Sequence, residues 1–552
     1  MTFTGGQVYA QTLLDNGVKD IFLIPGVQLD WAVEALREHG TAFNLFVPRH
    51  EQSTTYMADG YYRVSGRPGI AMVVPGPGLL NATAGLATAY SCHSKVLLLT
   101  AKIHSQGAGK SYGLLHELPD QTAVLRSLCT HDFQITAPSA INATLNAAFN
   151  TLEQSWGGPI GVEIPHDYLE STAGVQDKHA PAPESEIPEL DSQALQEAAR
   201  LLNEATLPVI YAGGGTLSGK AHQQLLQVAE KLNTAVVISD NARGVIDDRH
   251  PLAMTTLSGR AIFAKADVAL VVGSRFVDNV IPKPVWPQDK IKFIYLNIDT
   301  QDFGAPRKPT VALHTDAATG LAALNEYLKP RTVLSTEQTQ AAKDWAQEQI
   351  RATSPLGDYL HALRQGLPED GIFVNELTQV GYMARYAFPV YQPGSYIGPG
   401  YQGTLGYGFP TALGAAVAGG GRRVLSITGD GGFGWNLQEL ATAARYQLPV
   451  TLVVFNDGYY GNVRAIQKRV FGHEVAVALR NPDFQLLAQS FGVASTQVDN
   501  PNALKGAIQS ANSHAGPVLI EVKVGEMPSP WPLMGLKPMP GVDIGHPPAN
   551  LI

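Results

Sequence analysis

Short apolar runs, each stopping at a glycine or proline, recur along the chain. Ile21-Phe22-Leu23-Ile24 leads into Pro25-Gly26, and Ala71-Met72-Val73-Val74 into Pro75-Gly76-Pro77-Gly78. Val96-Leu97-Leu98-Leu99-Thr100, Val268 to Val272 before Gly273, and Val424 to Thr428 before Gly429 repeat the pattern. Runs of this kind, without polar alternation, suit strands buried on both faces, and such strands belong to parallel sheets covered by helices. Helical segments separate them, so the expected class is α/β with open, mostly parallel sheets. A chain of 552 residues is too long for one ordinary core, and three such domains are expected.

Composition places the boundaries. The first unit covers 1–175, and a polar stretch over 171–190 with Pro181, Pro183 and Pro188 reads as a linker. A second unit, 188–328, holds Leu207-Pro208-Val209-Ile210-Tyr211 and Gly213-Gly214-Gly215. A charged segment with Glu337, Lys343, Asp344 and Glu348 leads to the third unit, 353–528, and 529–552 forms a tail able to close over a site. The hydrophobic content of 45% argues against disorder. Two cysteines, Cys92 and Cys129, in apolar surroundings suggest a reducing compartment. Met1 to Asp20 has no basic and apolar leader pattern and no long uncharged apolar span occurs, so a soluble cytoplasmic protein without membrane contact is expected. A net charge of -9 with dispersed Lys and Arg offers no surface for nucleic acid.

The third unit carries the chemistry. The run Val424 to Thr428 delivers Gly429-Asp430-Gly431 at a strand's carboxyl end, where open α/β sheets bind ligands. Gly429, Gly431 and Gly432 allow backbone N–H groups to approach phosphate oxygens, and Asp430 offers a hard ligand for Mg²⁺. A helix over 436–446 is expected, with Leu437, Leu440 and Ala444 on one face. The next strand, Val450 to Phe455, returns Asn456 and Asp457 to the side of Asp430. Gly-Asp-Gly alone is a common turn; the ordered strand, turn, helix, strand and polar pair is far more specific. Gly213-Gly214-Gly215 lacks GxGxxG spacing and assigns no pyrophosphate.

Across nearly its whole length the chain resembles the thiamine-diphosphate-dependent superfamily of acetolactate synthase, benzoylformate decarboxylase and pyruvate decarboxylase. The resemblance implies a pyrimidine-binding, a central and a diphosphate-binding domain. It implies Mg²⁺ on Asp430, Asp457 and the main-chain carbonyl of Tyr459. The family's usual Asn-Asn stands here as Asn456-Asp457, which adds charge and keeps a donor oxygen. Pro48-Arg49-His50-Glu51, running into a helix over 52–63, resembles the catalytic-glutamate motif; Glu51 would bond the aminopyrimidine and activate the thiazolium C2 proton, work suited to a carboxylate raised toward neutral pKa by burial. Gly403-Thr404-Leu405-Gly406-Tyr407-Gly408 resembles the segment that keeps the cofactor bent, with Leu405 as its wedge. The implied cofactor set is Pro25, Gly26, Glu51, Gly76, Asn81, Gly403, Thr404, Leu405, Gly429, Gly431, Gly432, Asn456, Tyr459, Tyr460 and Gly461.

Substrate is less constrained. His116 is the candidate acid-base group beside Glu51, with His50 and Gln121 as lesser candidates. Val27, Gln28, Leu115, Gln121, Val463 and Trp531 are candidate pocket residues. The amino-terminal motifs look closest to acetolactate synthase large subunits, which implies decarboxylation of a small 2-oxo acid, pyruvate first, and carboligation to a second carbonyl. Leu115-His116-Glu117 replaces that group's Phe-Gln-Glu, its acceptor-binding tryptophan has no counterpart, and Asn375-Glu376 looks more like benzoylformate decarboxylase. Non-ligating decarboxylation and acyloin cleavage or synthesis are therefore the alternatives. FAD in the central domain ranks below a vestigial nucleotide-type fold. A homodimer or homotetramer with sites shared between subunits is expected, because the two motif halves lie in different domains.

Overall fold

A computed structural model describes residues 3–154, 156–173, 187–276, 290–304, 308–534 and 546–552. Three six-stranded sheets organise it, and every strand pairing within them is parallel. The amino-terminal sheet is built from β1 (Asp20–Leu23), β2 (Asn44–Phe46), β3 (Gly69–Val73), β4 (Val96–Lys102), β5 (His131–Gln134) and β6 (Ile160–Pro165), in spatial order 2-1-3-4-6-5. Between them run α1 (Glu51–Ser65), α2 (Pro77–Cys92) and α3 (Gln121–Leu128).

The central sheet holds β7 (Pro208–Ala212), β8 (Val236–Ile238), β9 (Ala253–Thr255), β10 (Val268–Val272), β11 (Lys292–Asn297) and β12 (Val311–His314), ordered 9-8-7-10-11-12. Counted within the domain this is 3-2-1-4-5-6, the order of dinucleotide-binding sheets. The carboxyl-terminal sheet holds β13 (Ile372–Asn375), β14 (Tyr396–Ile397), β15 (Val424–Gly429), β16 (Val450–Asn456), β17 (Ala494–Val498) and β18 (Val518–Lys523), ordered 14-13-15-16-18-17. That repeats the permutation of the amino-terminal sheet. In both, the strand order reverses between the first and third strands, and the crevice outside those carboxyl ends is where ligands bind.

The outer domains share one core. Buried Met57 and Ala58 of α1 pack with Phe409, Ala412 and Leu413 of α4 (Gly408–Ala418). The approach is close enough that a side chain at Gly60 would strike the Thr411 carbonyl, and one at Gly414 the Met57 carbonyl. The central domain is tied to the carboxyl-terminal one by Arg243, which pairs with Asp248 at 2.7 Å and donates to the Phe388 carbonyl at 2.6 Å. Arg385 pairs with Asp240 at 2.6 Å.

One expectation changes and one segment gains definition. The helix expected over 436–446 is broken: α5 (Asp430–Asn436) begins inside the Gly-Asp-Gly turn, a 3-10 turn spans Leu437–Glu439, and α6 (Leu440–Arg445) follows. The charged lead-in to the third unit is a helix, Thr336–Arg351, capped by Ser335 and packed through Trp345, Ala346 and Ile350 against the carboxyl-terminal core. Most of the expected linker, 174–186, lies outside the described residues, as does 535–545 of the tail. Among the described residues no helix is long and apolar enough to cross a membrane.

Candidate cofactor site

The carboxyl-terminal crevice assembles the acidic half. Asp430, 2% exposed, is the first residue of α5; its Oδ2 accepts from Gly458 N at 3.0 Å and from Asn481 Nδ2 at 2.5 Å. Asp457 follows β16, and its Oδ1 accepts from Tyr459 N at 3.0 Å. Burial raises the Asp430 carboxyl above the ordinary range, and burial together with the Asp430 charge pushes Asp457 up to about 6. Two carboxylates drawn together among amide donors form a set that a hard divalent cation neutralises. Asn456 stands behind them: its Nδ2 donates to Glu521 at 2.7 Å and its Oδ1 accepts from Asn481 at 3.1 Å.

Glycines keep this crevice open. A side chain at Gly461 would strike Asp457 Oδ2, and one at Gly431 would come within 2.7 Å of the Tyr460 ring. Gly429 faces only Thr378, at 3.7 Å. Tyr459 carries the Arg464 guanidinium 3.6 Å over its ring and bridges to Ala478. Gly403 and Gly406 adopt φ of 56° and 79°, and between them Leu405 projects from the surface, as does Val463 of α7 (Gly461–Phe471). Thr404 Oγ1 lies 3.5 Å from Thr88 Oγ1.

The amino-terminal crevice assembles the other half. Glu51 is the first residue of α1, where His50 caps the helix by accepting from Gln52 N at 3.2 Å. That cap occupies His50 Nδ1. Glu51 Oε2 accepts from Asn81 Nδ2 at 3.0 Å, so α2 orients the carboxylate. Gly76, with φ 60°, lies so close to His116 that a Cβ would come within 2.5 Å of its carbonyl. Pro25 is exposed, and Gly26 packs its Cα against Val74, where a Cβ would come within 2.6 Å.

Gln28 fixes His116. Its Nε2 donates to the Leu115 carbonyl at 3.2 Å, which leaves Oε1 facing His116 Nδ1 at 3.1 Å. A carbonyl on one side sets the amide orientation, and the amide oxygen then requires Nδ1–H on the imidazole. That leaves His116 Nε2 as the ring nitrogen not engaged by Gln28. Leu115 and Val27 are exposed beside it, 65% and 67%. Gln121 is 5% exposed and serves the protein: Oε1 accepts from Gly76 N at 3.2 Å while Nε2 donates to Ala101 O and Glu163 Oε1. It therefore stands behind the Gly76 loop and does not line a substrate pocket.

Three family models cover the chain: the N-terminal TPP binding domain of thiamine pyrophosphate enzymes over 3–124, their central domain over 195–324, and their C-terminal TPP binding domain over 378–522. The chain belongs to the thiamine pyrophosphate enzymes. It is 31% identical to a probable 2-ketoarginine decarboxylase of Pseudomonas aeruginosa over 95% of this chain and 94% of that one. It is 29% identical to a probable acetolactate synthase large subunit of Methanocaldococcus jannaschii, over 94% and 92%. With acetolactate synthase isozyme 1 large subunit of Escherichia coli the identity is 26%, over 96% of each chain. The chain is a thiamine-pyrophosphate-dependent enzyme with acetolactate-synthase-like organisation.

Residues that sequence reasoning did not single out hold this enzyme's two halves in place. Glu439, buried between Leu437 and Leu440, accepts from Arg49 N at 3.1 Å and from Ser53 Oγ at 2.8 Å, so the carboxyl-terminal domain grips the loop before Glu51. Gln52 Nε2 donates to Asn436 Oδ1 at 2.9 Å. Asn481, directly before Pro482, links Asp430 with Asn456. Trp531 Nε1 donates to Asn462 Oδ1 at 2.7 Å, which brings the tail to α7.

A cavity of about 1940 Å³ lies between the three domains, bordered by Gly214, Asn241, Arg275, Asp299, Asp302 and Trp531. The neighbouring glycines serve packing: a side chain at Gly213 would strike the Gly273 carbonyl, and one at Gly215 would come within 2.8 Å of Gly273 Cα.

Proposed function

We propose that this enzyme decarboxylates a small 2-oxo acid using thiamine diphosphate held through Mg²⁺ on Asp430, Asp457 and the Tyr459 carbonyl. The observation that carries the reading is the Gln28–His116 pair, which engages His116 Nδ1 and leaves Nε2 outside that bond. Bound there, the cofactor supplies a thiazolium carbon that takes up the electron pair of the breaking C–C bond. Glu51 holds and returns the proton of the aminopyrimidine ring, oriented by Asn81. Leu405, on the glycine turn, would hold the two rings together, and the backbone at Gly429, Gly431 and Gly432 would receive the diphosphate at the first turn of α5. His116 Nε2 would take up a proton from solvent and pass it to the former carbonyl carbon. Val27, Leu115 and Val463 bound the space for the substrate side chain. A flavin has no part in this cycle, and purified enzyme is expected to lack visible flavin absorption.

Carboligation to a second carbonyl is the second reading, favoured by the likeness to acetolactate synthases over nearly the whole chain. In it, His116 protonates the new alkoxide in place of carbon. A panel including pyruvate and 2-ketoarginine, with CO₂ and organic products measured together, separates the two. Aldehyde in step with CO₂ supports simple decarboxylation; one coupled product per CO₂, with a second carbonyl substrate consumed alongside the donor, supports carboligation; cleavage of a 2-hydroxy ketone without CO₂ rejects both. His116→Ala is expected to slow product formation about 10²-fold or more while leaving C2 proton exchange of the bound cofactor unchanged. Equal product rates in the variant would return His116 to a structural role.

A further inference from the structure

Glu376 is a buried carboxylate that the cycle above does not use. It directly follows β13, on the crevice side of the strand-order reversal, and is 2% exposed. Its Oε1 accepts from Gly406 N at 3.0 Å and its Oε2 from Gly408 N at 2.7 Å. One carboxylate thus holds two amides of the turn that presents Leu405, and the first is the amide joined to Leu405 itself. On the other side of the turn, the Gly406 carbonyl accepts from Asn436 Nδ2, at the last residue of α5, at 2.6 Å.

The same carboxylate sets the path of the metal-bearing helix. A side chain at Gly432 would strike Glu376 Oε1, and one at Gly408 would come within 2.9 Å of Oε2. The first turn of α5, which begins at Asp430, therefore rests on Glu376. Burial pushes its carboxyl up to about 7 even though both amide donors favour the charged form. A group needed only to fill space would carry no such desolvation cost, because an apolar side chain fills it better.

We propose that Glu376 is a positioning residue that locks the Leu405 turn to the Asp430 helix, so that the wedge between the cofactor rings and the anchor of its diphosphate keep one fixed separation. This rests on the reading that Leu405 and Asp430 face a common cofactor. Glu376 touches neither the reacting carbon nor the metal. Its effect runs through the amides of Gly406 and Gly408, and a displacement of about 1 Å at the rings is expected to cost on the order of 10²-fold in rate.

Glu376→Gln tests it, because glutamine keeps the volume but offers one acceptor and one donor to two N–H groups. In cofactor-free protein, hydrogen exchange of the peptide over 403–410 is expected to rise at least about tenfold. With thiamine diphosphate and Mg²⁺ bound, affinity should stay within about threefold of wild type while C2 proton exchange falls by about 10²-fold. Leu405→Ala should reproduce that fall, and the double variant should fall no further, since both act on one contact. If Glu376→Gln does not fold, Glu376→Asp, able to hold only one amide, decides with the same measurements. Unchanged amide exchange overturns the lock, and unchanged C2 exchange of bound cofactor, or strict additivity with Leu405→Ala, overturns the positioning role. A wild-type enzyme without cofactor-dependent exchange would instead refute the cofactor reading, and the amide measurement would still judge the lock.

Discussion

Glu51→Gln is expected to leave the fold and the cofactor affinity intact and to lower both turnover and C2 proton exchange of bound thiamine diphosphate by about 10²–10⁴-fold. The geometry explains why the loss should fall on chemistry. The helix start is set by His50 and by Glu439, which grips Arg49 N and Ser53. Glutamine at position 51 keeps the acceptor that Asn81 Nδ2 engages, so the side chain stays oriented. What it lacks is a site that binds and releases a proton. NMR of the quenched cofactor after timed exposure to deuterated solvent reads the step directly, and a wild-type exchange rate in this variant would remove Glu51 from the activation step.

The apolar strands were legible because parallel sheets bury both faces. β3, β4, β10, β15 and β16 appear within two residues of the expected runs at each end. The strand-order reversals also make physical sense of the motif positions, since Gly76, Glu376 and Asp430 all follow strands beside such a reversal. The start of α5 was not legible, because Gly431, Gly432 and Gly434 are poor helix formers and only tertiary support holds them helical. Its break at Asn436 was hidden for the same reason: that side chain abandons the helix face to bond Gly406 and Gln52. The helix Thr336–Arg351 did carry a signal that the charge reading passed over, the Ser335-Thr336-Glu337-Gln338 capping box.

Polar clamps were the least legible elements. Glu376, Glu439 and Asn481 act on segments far along the chain, and no local period or spacing reports a bond of that kind. The same holds for Gln121, a candidate pocket and acid-base residue whose amide bonds Gly76, Ala101 and Glu163. Substrate identity stays outside the sequence signal because the residues proposed to bound its space, Val27, Leu115 and Val463, are ordinary exposed apolar side chains.

Asp430→Ala is expected to weaken Mg²⁺-dependent thiamine diphosphate binding by at least about 10²-fold, since it removes one of two carboxylates from the cation. The partner effect runs the same way: without Asp430, Asn481 Nδ2 and Gly458 N lose their acceptor and the loop that carries Asp457 loses its anchor. Calorimetric titration of the cofactor at fixed Mg²⁺ measures this, and wild-type affinity would reject the metal assignment. The variant also tests how the two halves meet. Within one chain, the contacts behind Glu51 run from Gln52 to Asn436 at the far end of α5, while Asp430 opens that helix, and Leu405, Val463, Val27 and Leu115 are exposed. A second copy of the chain, related by a two-fold axis, would bring the exposed sets together in the shared-site reading. Mixing Glu51→Gln with Asp430→Ala subunits is then expected to restore about a quarter of wild-type activity, because half of the randomly paired dimers carry one intact site of two. Wild type mixed with a doubly substituted chain gives the reverse discrimination: about a quarter of the activity if sites are shared, about half if each chain is self-contained. Recovery in the first mixture together with a quarter in the second requires a shared site; no recovery and one half require that Glu51 and Asp430 of the same chain converge.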